Sequence, residues 1–144
     1  MTKVLVIQGA GMAMRGKAQV NIFGPMTLAD YNEAIRKSAK DLDIEVEIFS
    51  SNSEGAVIDR LFQAHDEGFA AALINPAGFM RGYPALVSAI GAVGFPTIEV
   101  HISNPAARGV VSEIAAACVG TVTGFGIAGY AMALQGVKSL PKRG

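Results

Sequence analysis

At 144 residues, with 12 Lys and Arg against 12 Asp and Glu, the chain has the length of one domain, residues 1–144, and no net charge. Balanced charge without a basic patch argues against nucleic acid or an anionic membrane surface as a partner. A lone cysteine, Cys118, excludes an internal disulfide framework and any cysteine metal cluster, and Lys3-Val-Leu-Val-Ile-Gln8 is too short to span a membrane or act as a leader, so the expectation is a cytoplasmic protein.

Apolar runs at Val4–Ile7, Val46–Phe49, Ala70–Ile74 and Thr97–Val100, with a weaker one at Cys118–Thr123, predict five strands. Continuous Val/Ile runs are the mark of strands buried on both faces. Helical patterns separate them. Thr27-Leu-Ala-Asp30 reads as a capping box ahead of Leu28, Tyr31, Ile35 and Leu42 at helical spacing. Ser53 N-caps a second helix carrying Val57, Ile58, Leu61 and Phe62; a third runs from about Pro84 to Gly91 and a fourth from about Ile127 to Val137. His65 falls at the end of the second helix, where it makes a favourable contact with the helix dipole or none. Only the tail, residues 140–144, reads as frayed. Strand–helix alternation over five units predicts an α/β fold, a flavodoxin-like doubly wound five-stranded parallel sheet with helices on both faces.

In such a sheet ligands bind outside the carboxyl ends of the strands. The segments Gln8–Phe23, Ser50–Gly55, Asn75–Tyr83 and His101–Arg108 fall there, and the first, Gly- and Met-rich, reads as a mobile lid. Gly9-Ala-Gly11 is no dinucleotide fingerprint, because the next predicted helix starts only near Thr27, too late to meet a phosphate. The most telling stretch is Thr97-Ile-Glu-Val-His-Ile-Ser-Asn104. Side chains alternate along a strand, so Glu99 and His101 share a face. A carboxylate beside a histidine orients the imidazole and favours its protonated form, which suits a general acid. Ser103 and the neighbouring backbone amides are placed to hold an anion.

These blocks carry a resemblance. Ile22-Phe-Gly24 with its following helix, Ser51-Asn-Ser-Glu-Gly55, Ile74-Asn-Pro-Ala77, Ile98–Asn104 and Gly120–Tyr130 resemble the corresponding blocks of type II 3-dehydroquinate dehydratases, in the same order and spacing over nearly the whole chain. The resemblance implies a flavodoxin-like fold, trimers assembled into a homododecamer, and a cofactor-free active site under a flexible lid. A composition 51% hydrophobic is also more apolar than a small monomer needs. The family's reaction removes water by way of an enolate. A lid tyrosinate, its pKa lowered by a lid arginine, takes the proton, and a histidine held by a glutamate protonates the departing hydroxyl. Carried over by position, His101 is the acid and Glu99 its orienting partner, while Asn75, the Ile102 amide and Ser103 form the carboxylate pocket.

The other half departs from the family pattern. Phe23 stands at the position of the lid tyrosine and Ala18 at that of the arginine, with Lys17 and Arg15 nearby. A family histidine that contacts ring hydroxyls is replaced by Arg81, and an acidic residue donated by a neighbouring subunit by Ser88. Arg108 matches an earlier family arginine and is a candidate for the role of the second, which falls where this chain is about three residues shorter. Phe has no ionisable group, and loss of a catalytic base costs on the order of 10²–10⁴-fold. The expectation is therefore a cofactor-free lyase that acts on a small hydroxy- or oxo-carboxylate other than 3-dehydroquinate. Its cavity would be lined by Phe23, Phe79, Met12, Met14 and Met80, with Arg81 taking a second carboxylate or phosphate and Tyr83 as a replacement base. Two alternatives stay open: a genuine 3-dehydroquinate dehydratase with a substitute base, and a non-catalytic carboxylate-binding or structural oligomer. The retained Glu99–His101 pair favours an enzyme, since a mere clamp needs no oriented acid.

Overall fold

Strands β1 (Thr2–Ala10), β2 (Ile44–Ser50), β3 (Ala71–Ala77), β4 (Thr97–His101) and β5 (Gly120–Thr123) pair in parallel throughout, in the order β2-β1-β3-β4-β5. This is the flavodoxin-like arrangement, seen in a computed structural model that describes residues 2–140. Residues 141–144 of the tail expected to fray lie outside the described residues.

The apolar runs become strands because the sheet is covered on both sides. On one side Leu5 and Ile7 of β1 and Ala72 and Ile74 of β3 pack against helices α3 (Glu54–Asp66) and α4 (Pro84–Ala92). On the other, Val4, Val6 and Leu73 pack with Ile98 and Val100 of β4 against α2 (Leu28–Asp41) and α5 (Ala128–Ser139). All four residues from Val4 to Ile7 are completely buried, and each apolar side chain so removed from water contributes roughly 1.5–3 kcal/mol. The edge strands differ from the expectation of two buried faces. Glu45 and Glu47 of β2 and Gly120 and Thr121 of β5 are exposed, so the edges of the sheet are covered less completely than its centre.

The expected helix starts hold. Thr27 Oγ1 accepts the Asp30 N–H and the Asp30 carboxylate accepts the Thr27 N–H, the reciprocal capping box that starts α2. Ser53 Oγ accepts the Ala56 N–H at the head of α3. His65 accepts the Gly94 N–H at Nδ1, 2.9 Å away, so it tethers the turn before β4 rather than capping its own helix. Among the described residues no helix is long and apolar enough to cross a membrane.

Two features position the site. From β1 the chain runs outward to β2 on one flank and then returns to β3 on the other, so the connections after β1 and β3 diverge and open a crevice at their carboxyl ends. The lid between β1 and α2 also has more structure than a long loop: a 3-10 turn at Met12–Met14 and the short helix α1 (Val20–Phe23). It doubles back so tightly that a Cβ on Gly16, whose φ is +79°, would sit 2.7 Å from the Pro25 carbonyl oxygen.

Candidate active site

A cavity of about 290 Å³ opens at that crevice, near the lower end of the roughly 300–1,000 Å³ usual for small-ligand sites. Its floor is made by the ends of three strands and the turns beyond them: Ala10 and Gly11 at the end of β1, Asn75, Ala77 and Gly78 at β3, and His101 to Ser103 at β4. Its roof is the lid, with Met14, Arg15, Ala18, Gln19 and Phe23, and Arg108 closes one side from a 3-10 turn at Pro105–Arg108.

The polar floor is tied down from behind. His101 Nε2 donates to Glu99 Oε2 at 2.6 Å, and the pair is almost wholly buried. The same carboxylate oxygen accepts the Ser112 hydroxyl at 2.6 Å, and Ser112 Oγ accepts the Ile114 N–H. With Nε2 committed to Glu99, the imidazole is fixed in orientation and Nδ1 is the nitrogen left for a ligand. Asn75 Nδ2 donates to the Tyr130 hydroxyl at 3.0 Å, which in turn donates to Gln8 Oε1 at 2.8 Å. Burial pushes the Tyr130 pKa up to about 12, against the pull of its hydrogen bonds to Asn75 and Gln8. At neutral pH it is therefore a fixed, protonated prop for the Asn75 amide. At the anion end, Arg108 donates from Nη1 to Ser103 Oγ at 3.0 Å, so a guanidinium and a hydroxyl stand together beside the Ile102 amide.

The roof is mostly apolar. Its one buried cation, Arg15, lies with its guanidinium carbon 3.7 Å from the Phe23 ring centroid; Arg108 reaches the same ring at 5.8 Å. Tyr31 anchors this end of the lid, its hydroxyl donating to the Phe23 carbonyl at 3.2 Å. Burial raises the Tyr31 pKa, with Arg15 opposing.

The structure brings Asn75, His101, Ile102, Ser103, Arg108 and Phe23 to one cavity, with Glu99 directly behind His101. It does not bring Arg81 or Tyr83 there. Arg81 is exposed on the turn after β3, where the next residue, Gly82, donates its N–H to Glu113. Tyr83 packs edge-on against Phe79, their ring centroids 4.9 Å apart, at the head of α4. Of the expected apolar lining, Met14, Met80 and Phe23 face the cavity, while Met12 and Phe79 are buried in the core instead. Sequence reasoning passed over Ser112, Gln8 and Tyr130. A glutamine closing an otherwise apolar strand was the available signal for Gln8; nothing local marks Ser112 or Tyr130. Among the described residues no three His, Cys, Asp or Glu side chains gather as metal ligands would.

Set against known proteins, residues 2–138 match the family "Dehydroquinase class II". A 3-dehydroquinate dehydratase of Caldicellulosiruptor bescii is 43% identical over 143 residues, covering 97% of this chain and 99% of that one. Its counterpart in Helicobacter hepaticus is 41% identical over 138 residues, covering 94% and 87%. The type II dehydroquinase of Butyrivibrio crossotus superposes with a TM-score of 0.92 at 33% identity over 96% of this chain and 98% of that one. A 3-dehydroquinate dehydratase-like protein from Bifidobacterium longum, also 33% identical and covering 95% of each chain, gives 0.73. This chain belongs to the class II dehydroquinases, a family of cofactor-free dehydratases.

Proposed function

Starting from that family, we propose that the protein is a carbon–oxygen lyase whose substrate is a small hydroxy- or oxo-carboxylate other than 3-dehydroquinate. In this reading Asn75, the Ile102 amide and Ser103, with Arg108 behind it, hold the substrate carboxylate. His101, oriented by Glu99, protonates the departing hydroxyl. Arg81 and Tyr83, outside the cavity, have no part in it.

One observation carries the change of substrate: among the described residues no phenol lines the cavity. By the family resemblance the base position is Phe23, and each tyrosine of the chain is occupied elsewhere. Tyr31 holds the Phe23 carbonyl, Tyr83 packs on Phe79, and Tyr130 is buried and bound to Asn75 and Gln8. Removal of a proton beside a ketone then lacks its tyrosinate, a loss worth on the order of 10²–10⁴-fold. The test is a direct assay of 3-dehydroquinate dehydration by the absorbance of its conjugated product. The expected rate falls far below the ~1–10³ s⁻¹ of ordinary enzymes.

A rate within that range would establish the second reading, genuine 3-dehydroquinate dehydration, which the names of the relatives at 43% and 41% identity favour. The base would then be a water held by Arg15 or Lys17. We further propose a cytoplasmic homo-oligomer built from trimers, a dodecamer. Val111, Val119, Phe125 and Met132 leave large apolar side chains 45–74% exposed, and such surface is usually covered. A stable monomer by light scattering at micromolar concentration would overturn the assembly.

A further inference from the structure

The floor of the cavity accounts for one anionic group, yet the roof holds a second cation with nothing to neutralise it. Arg15 is 9% exposed and lines the cavity; no carboxylate among the described residues pairs with it, and its Nε has no hydrogen-bond partner. Arg60, at the other end of the sheet, shows how this chain treats an arginine of similar burial. Its side chain is 12% exposed, and it is paired with both Glu47 and Glu67 while resting 5.3 Å from the Phe69 ring. Arg15 keeps the aromatic partner, Phe23 at 3.7 Å, and lacks the carboxylates.

An aromatic face attracts a cation but carries no net charge. A guanidinium taken out of water without a counter-ion is costly, because its lost hydration is not replaced. Burial accordingly lowers the Arg15 pKa, with Tyr31 and Tyr130 opposing. Arg108 stands 5.8 Å from the same ring, so the two guanidinium carbons are separated by no more than the sum of their distances to it. Among the described residues no acidic side chain lines the cavity between them.

We propose that the ligand of this cavity carries two anionic groups, one held by Ser103, the Ile102 amide and Arg108, and a second, carboxylate or phosphoryl, held by the guanidinium of Arg15. The proposal rests on the carboxylate site described above and adds to it the missing counter-ion. Arg15 thereby takes the role that position in the sequence had given to Arg81. The planar guanidinium matches either anion through paired N–H donors. A ligand with a single carboxylate, as 3-dehydroquinate is, would leave Arg15 unneutralised.

Isothermal titration of the full-length protein at low salt tests this with succinate, glutarate and adipate, each against the monocarboxylate of the same chain length, and with 3-phosphonopropionate. The expected result is that at least one dianion binds about tenfold or more tightly than its monoanionic counterpart, the usual gain from one charged hydrogen-bonded contact. Arg15→Met should erase that preference and leave monocarboxylate binding within about threefold. Arg15→Lys, which keeps the charge without the fork, should retain part of it, with circular dichroism confirming both folds. A phosphonate preferred over every dicarboxylate assigns the second group as phosphoryl; the reverse order assigns it as carboxylate. If monocarboxylates bind in a Ser103-dependent way and no dianion binds more tightly, the two-anion ligand is overturned and the carboxylate site stands. If no probe binds at all, both fall. Loss of the assembly in Arg15→Met without any dianion preference would place the counter-ion on a neighbouring subunit and equally overturn the proposal.

Discussion

On the floor of the cavity, Asn75, Glu99 and His101 are 1–6% exposed, stand on central strands, and are each held by a second side chain. Across from them, Met14 is 52% exposed, the chain runs through a three-residue 3-10 turn and a four-residue helix, and Arg15 rests on a phenyl ring. Floor residues are fixed before any ligand arrives, as preorganised acid and anion chemistry requires. The lid lies outside the sheet and is the part whose chemistry can change without unfolding it. On the proposed function, chemistry sits on the strands and selectivity on the lid.

The sharpest way to break that division is at His101. His101→Ala should lower kcat by about 10²–10⁴-fold while leaving ligand affinity nearly unchanged, because a general acid acts chiefly in the transition state. Steady-state kinetics on the true substrate beside calorimetric binding checks both halves. Retained full activity would remove the acid from the floor altogether.

Next in size is the prop under Asn75. Tyr130 titrates at about 12 in the folded state against 10.0 when exposed. A raised folded pKa adds nothing below the unfolded value, where both states are protonated; the unfolded state loses its proton first, so stability falls as pH climbs from 10 towards 12. The loss amounts to roughly 2–3 kcal/mol. Chemical denaturation across that window should show the slope, and Tyr130→Phe should flatten it while costing about 1–3 kcal/mol at pH 7 by stranding Asn75 and Gln8.

Ser103→Ala is expected to weaken carboxylate binding by about 1–3 kcal/mol, read by titration, with no loss of thermal stability. The smallest effect belongs to the lid. Phe23→Leu should cost about 0.5–2 kcal/mol of ligand binding through loss of the ring under Arg15, with the melting temperature almost unmoved. A large drop in melting temperature would show that the lid is structural after all.

The same division explains what could be read in the sequence. Glu99 and His101 were legible because the two-residue period of a strand fixes which side chains share a face, whatever the rest of the molecule does. The ends of α2 and α3 were legible because Thr27, Asp30 and Ser53 satisfy N–H groups within three residues of themselves. The sequence does not place Arg81 and Tyr83, because position along a chain says nothing about side-chain direction once β3 ends and Ala77 adopts φ +48°. Met12 and Met14 lie two residues apart in one short turn, one buried and one half exposed. No periodicity runs through that turn to tell them apart, and only packing against β1 decides it.

Behind the cavity, a Cβ on Gly9 would lie 2.2 Å from the Pro76 carbonyl oxygen, and the register of β1 on β3 passes from Gln8–Asn75 to Ala10–Ala77 across that point. Between these two strands the cavity is therefore bounded by main chain on both sides. Laboratory evolution of this site has a built-in asymmetry as a result. Roof and rim can be re-lined one side chain at a time, but the depth of the crevice is a property of two backbones in contact, and no substitution at Gly9 can alter it without prising the sheet apart.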